Sequence, residues 1–366
     1  MRELTRQMAR VYSRLGQRGA IFGMAINERA AQDEKMIVLT ADLATLSGMD
    51  RYVKSAAPWR FINAGIAEQN MVGMAAGLAA EGMHPVVTTY ATFLTMRACE
   101  QMRHFMGYMR LPIVAIGSGA GLSQGFAGNT HYTIEDLSMM RAIPNIKILS
   151  PADAASAVML FEMAMDSNEP VYIRLTGGLN IPMVYESTVP FGFGKSNCVR
   201  VGTDVSILAT GTMVHTAIEA AELLEQKGIS AEVIDMYSIK PIDTERIREA
   251  MSKRLVVTVE EHSKMGGLGA AVAEVMSGEA CGCKLLRLGI ADRFDLAGDY
   301  EFLLKQNRLT PQLIEGDILC VAAQFVDMQH FTPPPPVKRS GYSLWRWGAA
   351  SELCFRLSCC VYNFFP

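Results

Sequence analysis

Two parallel-sheet α/β domains in tandem are what this chain predicts, on three observations. Short apolar runs alternate with helical patterns from Met36 to Ile290. The runs are continuously hydrophobic, as in strands covered on both faces. A stretch rich in Pro, Gly and polar residues, from Gly177 to Gly202, interrupts the series once and leaves an α/β unit on each side. With 366 residues, half of them hydrophobic, the chain can bury more than one sizeable core.

In order, the chain opens on a basic amphipathic helix over 1–20. Arg2, Arg6, Arg10, Arg14 and Arg18 recur every four residues, while Leu4, Met8, Val11 and Leu15 form an apolar face. A surface helix, a helix docking on a partner and a transit peptide share this composition; Glu3 and the direct run into a second helical stretch, 25–33, weigh against the last. Strands follow at 36–40, 60–64, 85–90, 112–117, 146–150 and 171–175, with helices at 67–81, 97–106, 134–142 and 152–166. In the second unit, strands at 205–210, 231–236, 255–260 and 284–290 accompany a helix in which Val214, Ala217, Ile218, Ala221 and Leu224 share a face and Gly228 supplies the stop. Beyond residue 322 the pattern fails. The tail 323–366 carries Pro333 to Pro336, two of the three tryptophans and three of the eight cysteines, as in a frameshifted, disordered or partner-binding segment.

Composition excludes several classes of function. A net charge of −3 gives no electrostatic case for nucleic acid or an anionic membrane. No apolar run reaches the length of about 18 residues that a membrane span needs. The cysteines lack zinc-type spacing, Cys281-Gly282-Cys283 being an isolated CxC, so reduced thiols in a cytoplasmic protein are expected.

Two ionisable residues stand in informative places. Glu68 opens an apolar helix in Gly65-Ile66-Ala67-Glu68-Gln69-Asn70, and His131 ends the glycine-bearing loop Gly128-Asn129-Thr130-His131. With LTADL (39–43), GIAEQNMVGMAAGLA (65–79), TFL (92–94), PNIKILSPAD (144–153) and VEEHSKMGGLG (259–269) in collinear order, the chain resembles the transketolase family of thiamine-diphosphate enzymes over roughly residues 20–320. The resemblance implies a thiamine-diphosphate pyrimidine-binding domain at 21–180, a linker at 181–202 and a transketolase C-terminal domain at 203–322.

It also implies roles. Glu68 matches the glutamate that hydrogen-bonds ring N1′ and drives the aminopyrimidine to its imino tautomer, a task suited to a carboxyl in apolar surroundings. Ile66 matches the bulky residue that bends the cofactor, although core packing would also explain it. Asp42 matches an acid near the cofactor at a subunit interface, or serves as a turn residue. Phe93 matches the ring that stacks on the pyrimidine. Met96 and Cys99 stand where transketolases carry two more aromatics, leaving Met96 as a cofactor contact and Phe93 with most of the stacking. His131 matches a histidine that contacts a substrate oxygen and shuttles protons. Arg97 lies one position from a substrate arginine of the deoxyxylulose-phosphate synthases.

Other positions depart from the family. Ala127 replaces a sugar-binding Asp, Gly117 a phosphate-binding histidine after the fourth strand and Gly177 a phosphate-binding arginine, with Arg174 as a possible substitute for the last. The family's GDG and downstream Asn, which hold the diphosphate and Mg²⁺, are absent. The diphosphate and metal are therefore expected on a partner, an N-terminal subunit carrying GDG and Asn, in an α2β2 transketolase. Gly73 and Gly77 on the helix after Glu68 fit a subunit interface or close packing within the chain. A β subunit of a 2-oxoacid decarboxylating enzyme, a deoxyxylulose-phosphate-synthase-like enzyme and a non-catalytic subunit on the same fold are the alternatives, the Thr130-His131 pair speaking against the first.

Overall fold

A computed structural model describes residues 3–279 and 282–326. Cys281 and most of the atypical tail lie outside the described residues. The first α/β unit comprises α1 (Arg6–Ala20), a π-helical turn (Ile21–Ala25), α2 (Ile26–Ala30), β1 (Met36–Thr40), α3 (Asp50–Ser55), β2 (Phe61–Asn63), α4 (Glu68–Ala80), β3 (His84–Tyr90), α5 (Cys99–Gln101) between π-helical segments Phe93–Arg97 and Met102–Tyr108, β4 (Val114–Ser118), α6 (Asp136–Ala142), β5 (Lys147–Leu149), α7 (Ala154–Asp166) and β6 (Val171–Arg174). The second comprises β7 (Asn197–Arg200), β8 (Val205–Ala209), α8 (Met213–Glu225), β9 (Ala231–Asp235), β10 (Ser238–Lys240), α9 (Thr244–Ala250), β11 (Leu255–Ser263), α10 (Leu268–Ser277), β12 (Lys284–Ile290), α11 (Tyr300–Gln306) and α12 (Pro311–Val326). No helix among the described residues is long and apolar enough to cross a membrane.

The strands form two mostly parallel sheets, ordered β10-β5-β6-β4-β3-β1-β2 and β12-β11-β8-β9-β7. Two short strands escape a hydrophobicity reading. One is β7, inside the expected linker, which pairs antiparallel with β9. The other is β10, which leaves the second unit to pair antiparallel with β5 of the first sheet. Both are edge strands of only four and three residues, too short for an apolar run to stand out. The first sheet is covered on both faces, as its unbroken apolar strands require. Met71, Val72 and Ala75 of α4 pack with Leu39 and Val87 on one side, and Phe22, Leu160 and Phe161 with Val38 and Ile173 on the other. Each such large side chain contributes about 1.5–3 kcal/mol by leaving water. Asp153 starts α7 by accepting from Ser156 N at 2.7 Å, and its second oxygen takes the Val184 and Tyr185 amides.

The N-terminal helix corrects its own periodicity. Ala9, Tyr12, Gln17 and Ala20 are buried beside Leu4, whereas Val11 and Leu15 are exposed. Leu4 packs as its periodicity predicts, but beyond it the buried face is offset from Val11 and Leu15 and is made by Ala9, Tyr12, Gln17 and Ala20, a mix too varied in size and polarity to read as an apolar stripe. Gly16, at φ 70°, kinks α1 so closely against Gly178 that a Cβ would overlap the Gly178 carbonyl. Gln17 then bridges two strand ends, donating to Pro151 O at 2.7 Å and accepting from Thr176 N at 2.9 Å. Ser13 donates to Ile181 O at 2.5 Å. The helix is thus part of the first domain. Gly73 and Gly77 of α4 meet nothing within 4 Å of a built Cβ, so close packing within this chain does not explain them.

Candidate active site

The carboxyl ends of β1 to β4 open onto one cavity of about 360 Å³, the usual place for a ligand in an open α/β sheet. Asp42, Ile66, Glu68, Thr89, Tyr90, Phe93, Gln124, Phe126 and His131 are among its lining residues. Five of the side chains singled out from sequence therefore converge: Asp42, Ile66, Glu68, Phe93 and His131.

Local geometry explains how. Asn63 ends β2 and ties the loops after β1 and β2 together, its Oδ1 accepting from Asp42 N at 3.1 Å and Gly65 N at 3.0 Å. Its amide donates to Asp42 Oδ1 at 3.2 Å. Asp42 sits at φ 57°, a conformation that Asp tolerates better than most residues. This cross-link presents Ile66 on the cavity wall, 77% exposed, which excludes core packing as its role. Glu68, by contrast, is buried at the start of α4.

The surroundings of Glu68 differ from the apolar pocket expected. Arg97 Nη1 donates to both carboxylate oxygens at 2.8 Å, and its guanidinium carbon lies 4.2 Å from the centroid of the Phe93 ring. The π-helical turn Phe93–Arg97 sets this arrangement, carrying Arg97 back over Phe93. Phe93, His131 and Tyr90 form an edge-to-face triad with centroids 5.6 to 6.0 Å apart. Tyr90 restores part of the aromatic wall that Met96 and Cys99 lack; it was missed because it precedes the motif. Thr89 Oγ1 is buried on the cavity wall with no protein partner, whereas the adjacent Thr88 hydroxyl donates to Ile116 O at 3.0 Å. Strand alternation turns the two hydroxyls to opposite faces.

The loop carrying His131 is held by the second domain. Glu261 Oε1 accepts from Leu122 N at 2.5 Å, and its other oxygen accepts from Tyr300 and Thr212 hydroxyls at 2.6 and 3.2 Å. Gly121, at φ 67°, leaves the space that this carboxylate fills. Asn129 and Tyr132 both donate to Asp295 O. Burial pushes the Glu261 carboxyl up, against the Tyr300 hydrogen bond that holds it down. The VEEH block had signalled family but no role; its role here is to fix the histidine loop.

Two expectations are corrected and one departure from the family is explained. Arg174 is buried, its Nε donating to Asp136 at 3.1 and 2.9 Å and its Nη2 to Glu261 O at 2.9 Å, so it holds the domains together and offers nothing to a phosphate. Met96 does not line the cavity; its sulfur lies 3.9 Å from Thr92 Oγ1. Gly117 lies inside β4, where a Cβ would meet the Tyr172 hydroxyl at 2.6 Å, so no phosphate-binding side chain fits there. A further cation, from α1, lines a neighbouring cavity. A second cavity of about 200 Å³ shares Gln124 and Phe126 with the first and is lined by Arg18, Gly119, Thr176, Gly177 and Gly178. Arg18 is the one arginine or lysine in either lining.

Comparison with known proteins agrees with this geometry. Residues 17–180 match the sequence model of the transketolase pyrimidine binding domain and residues 194–314 that of the transketolase C-terminal domain. The chain is 39% identical over 288 residues to a 6-deoxy-6-sulfo-D-fructose transketolase subunit of Clostridium sp., covering 78% of this chain and 88% of that protein. It is 40% identical over 276 residues to a Synechococcus 1-deoxy-D-xylulose-5-phosphate synthase, of which it covers only 42%. Among solved structures, a split-gene transketolase described as an inactive β4 tetramer superposes with a TM-score of 0.74 at 39% identity, over 82% of this chain and 96% of that one.

Proposed function

The chain belongs to the transketolase family, and we propose that it is the C-terminal subunit of a heteromeric transketolase, moving a two-carbon ketol unit from a ketose donor to an aldose acceptor with a partner subunit. The observation that carries this reading is the convergence of Glu68, Phe93, Ile66 and His131 on one cavity. The residues present fit the aminopyrimidine half of thiamine diphosphate. Phe93 offers a flat apolar face, Glu68 a buried carboxylate, and Thr89 a buried hydroxyl without a protein partner. When bound, the cofactor supplies the carbanion-stabilising thiazolium that ketol transfer needs.

This chain's own residues do the rest. Glu68 holds the proton exchanged at ring N1′, Ile66 braces the cofactor from the wall, and His131 moves a proton at the substrate oxygen. Asp42, beside Ile66, faces the subunit boundary. The diphosphate and Mg²⁺ belong to the partner, which bears the GDG and Asn motifs in an α2β2 assembly; the half-buried Gly73 and the exposed Gly77, which pack against nothing in this chain, suit that contact. Arg18 receives an anionic group at the far end of the sugar. The two relatives named above carry such a group, sulfo or phosphate, in their substrate or product names.

The test is ketol transfer by the assembled complex. Glu68→Gln should lower kcat by roughly 10²–10⁴-fold, and Arg18→Ala should raise KM for an anionic sugar by about tenfold, the weight of one charge-assisted contact, with little change for an uncharged one. Full activity in the Glu68→Gln complex would remove this chain from the chemistry and leave it an interaction subunit. The identity to the synthase makes pyruvate the second donor to assay; turnover of pyruvate with an aldehyde acceptor, and none with a ketose donor, would replace ketol transfer with decarboxylative coupling.

A further inference from the structure

We infer that Gln124 reads the hydroxyls of the sugar, a specificity-determining contact between the reacting end of the substrate and its anionic end. The inference deepens the proposed function and rests on the places given there to His131 and Arg18. The cavity lined by His131 and the cavity lined by Arg18 have two residues in common, Gln124 and Phe126. A substrate that reaches from one cavity to the other passes along these two side chains. Phe126 brings an exposed apolar ring. Gln124 brings a carboxamide, which both donates and accepts.

The backbone here is pinned and the carboxamide is not. Leu122 N donates to Glu261 at 2.5 Å, Ala127 N to Gln124 O at 2.9 Å and Gly298 N to Gly125 O at 3.1 Å. The Gln124 side chain lies over Gly119, where a Cβ would stand 2.6 Å from Gln124 Cγ and 3.1 Å from its Nε2. Gly119, at φ 66°, thus leaves the room that seats Gln124 at the boundary of the two cavities. Among the described residues the half-buried carboxamide has no hydrogen-bond partner. The other neutral polar side chains of the Arg18 cavity are engaged: Ser123 donates to Ala120 O at 3.1 Å, and Thr176 Oγ1 accepts from Thr212 N at 3.2 Å.

Ketol transfer breaks the C2–C3 bond of the donor and turns its C3 hydroxyl into an aldehyde, so that hydroxyl belongs to the reaction. The hydroxyls beyond C3 take no part in it. They still leave water with the rest of the sugar, and each costs free energy unless it finds a partner. Gln124 meets this stretch. Its oxygen can accept from one hydroxyl while its amide donates to the next, which makes the contact sensitive to their presence and configuration.

The test is steady-state ketol transfer by the assembled complex from fructose 6-phosphate and from its 4-deoxy and 5-deoxy analogues. In the wild type, kcat/KM should fall about tenfold for at least one deoxy donor, the weight of one hydrogen bond. Gln124→Leu should bring that ratio close to one. Gln124→Glu, which keeps acceptor oxygens and loses the amide donor, should retain part of it. No discrimination by the wild type, or a ratio unchanged in Gln124→Leu with all three donors slowed alike, would overturn the inference and leave ketol transfer standing. No ketol transfer from any of the three donors by the wild-type complex would overturn the proposed function, and the inference with it.

Discussion

The pocket around Glu68 and the domain junction around Arg174 lie on the same side of the first sheet, and they are built to opposite rules. In the pocket, Ile66 and Phe126 are each about three-quarters exposed, and Thr89 Oγ1 has no partner. At the junction, Asp136, Tyr172, Arg174, Glu260, Glu261 and His262 are all buried, and nearly every polar atom is paired. Burying so many ionisable groups is costly unless each is matched; most matches lie within one domain, and the bonds from Arg174 and Leu122 to Glu261 cross from one domain to the other. The junction is finished within the chain, whereas the pocket presents surfaces that only further molecules could cover. The contrast teaches where substitutions should show themselves: as lost function in one region and lost stability in the other.

The largest expected effect tests the pocket. In the assembled complex, Glu68→Gln should lower kcat by roughly 10²–10⁴-fold, the range for a positioned acid or base. Steady-state assays check this. The junction comes next. Arg174→Met leaves Asp136 buried beside Tyr172 and His262 without its cation, which should destabilise the chain by about 3–5 kcal/mol in urea melts. A loss under 1 kcal/mol would show that Arg174 is not structural and reopen a role at the substrate.

Acidity sharpens the same comparison. Burial pushes Glu260 from its usual 4.5 up to about 7 and His262 from its usual 6.5 down to about 4. Glu260 binds its proton more tightly folded than unfolded, so its contribution is fullest below about 4.5 and is lost as pH rises through 7. His262 binds its proton less tightly folded, so its contribution is fullest above about 6.5 and is lost as pH falls through 4. Between about 4.5 and 6.5 the two slopes oppose each other. Removing either should unmask the other: the stability of Glu260→Gln should rise with pH across this window and that of His262→Gln should fall. Parallel melts at several pH values decide it. The smallest effect returns to the pocket. Ile66→Ala should change stability by no more than about 0.5 kcal/mol, because its side chain touches solvent, while still lowering turnover in the complex.

Much of this contrast was legible in the sequence, and the reasons it was partial are physical. Unbroken apolar runs such as Met36–Thr40 and Val205–Ala209 revealed buried parallel strands, because burial on both faces leaves no alternation. β7 and β10 stayed hidden because edge strands of three or four residues carry too little apolar signal. Glu68, Phe93, Ile66, Asp42 and His131 were found because each lies inside a local motif. Arg18 and Glu261 were missed for the converse reason: one lines the neighbouring cavity from the first helix and the other braces the histidine loop from the second domain. Arg174 misled because a cation near a strand end reads alike whether it faces a ligand or a buried Asp136.

One measurement tests the central claim that this chain supplies half of a two-chain site. Thiamine diphosphate with Mg²⁺ would be titrated calorimetrically into the chain alone and into the chain co-purified with a partner bearing GDG and the downstream Asn, with ketol transfer assayed in both samples. The account predicts a stoichiometric complex in which tight binding and turnover arise together, and no turnover from the chain alone. Turnover by the isolated chain at the rate of the complex would contradict it.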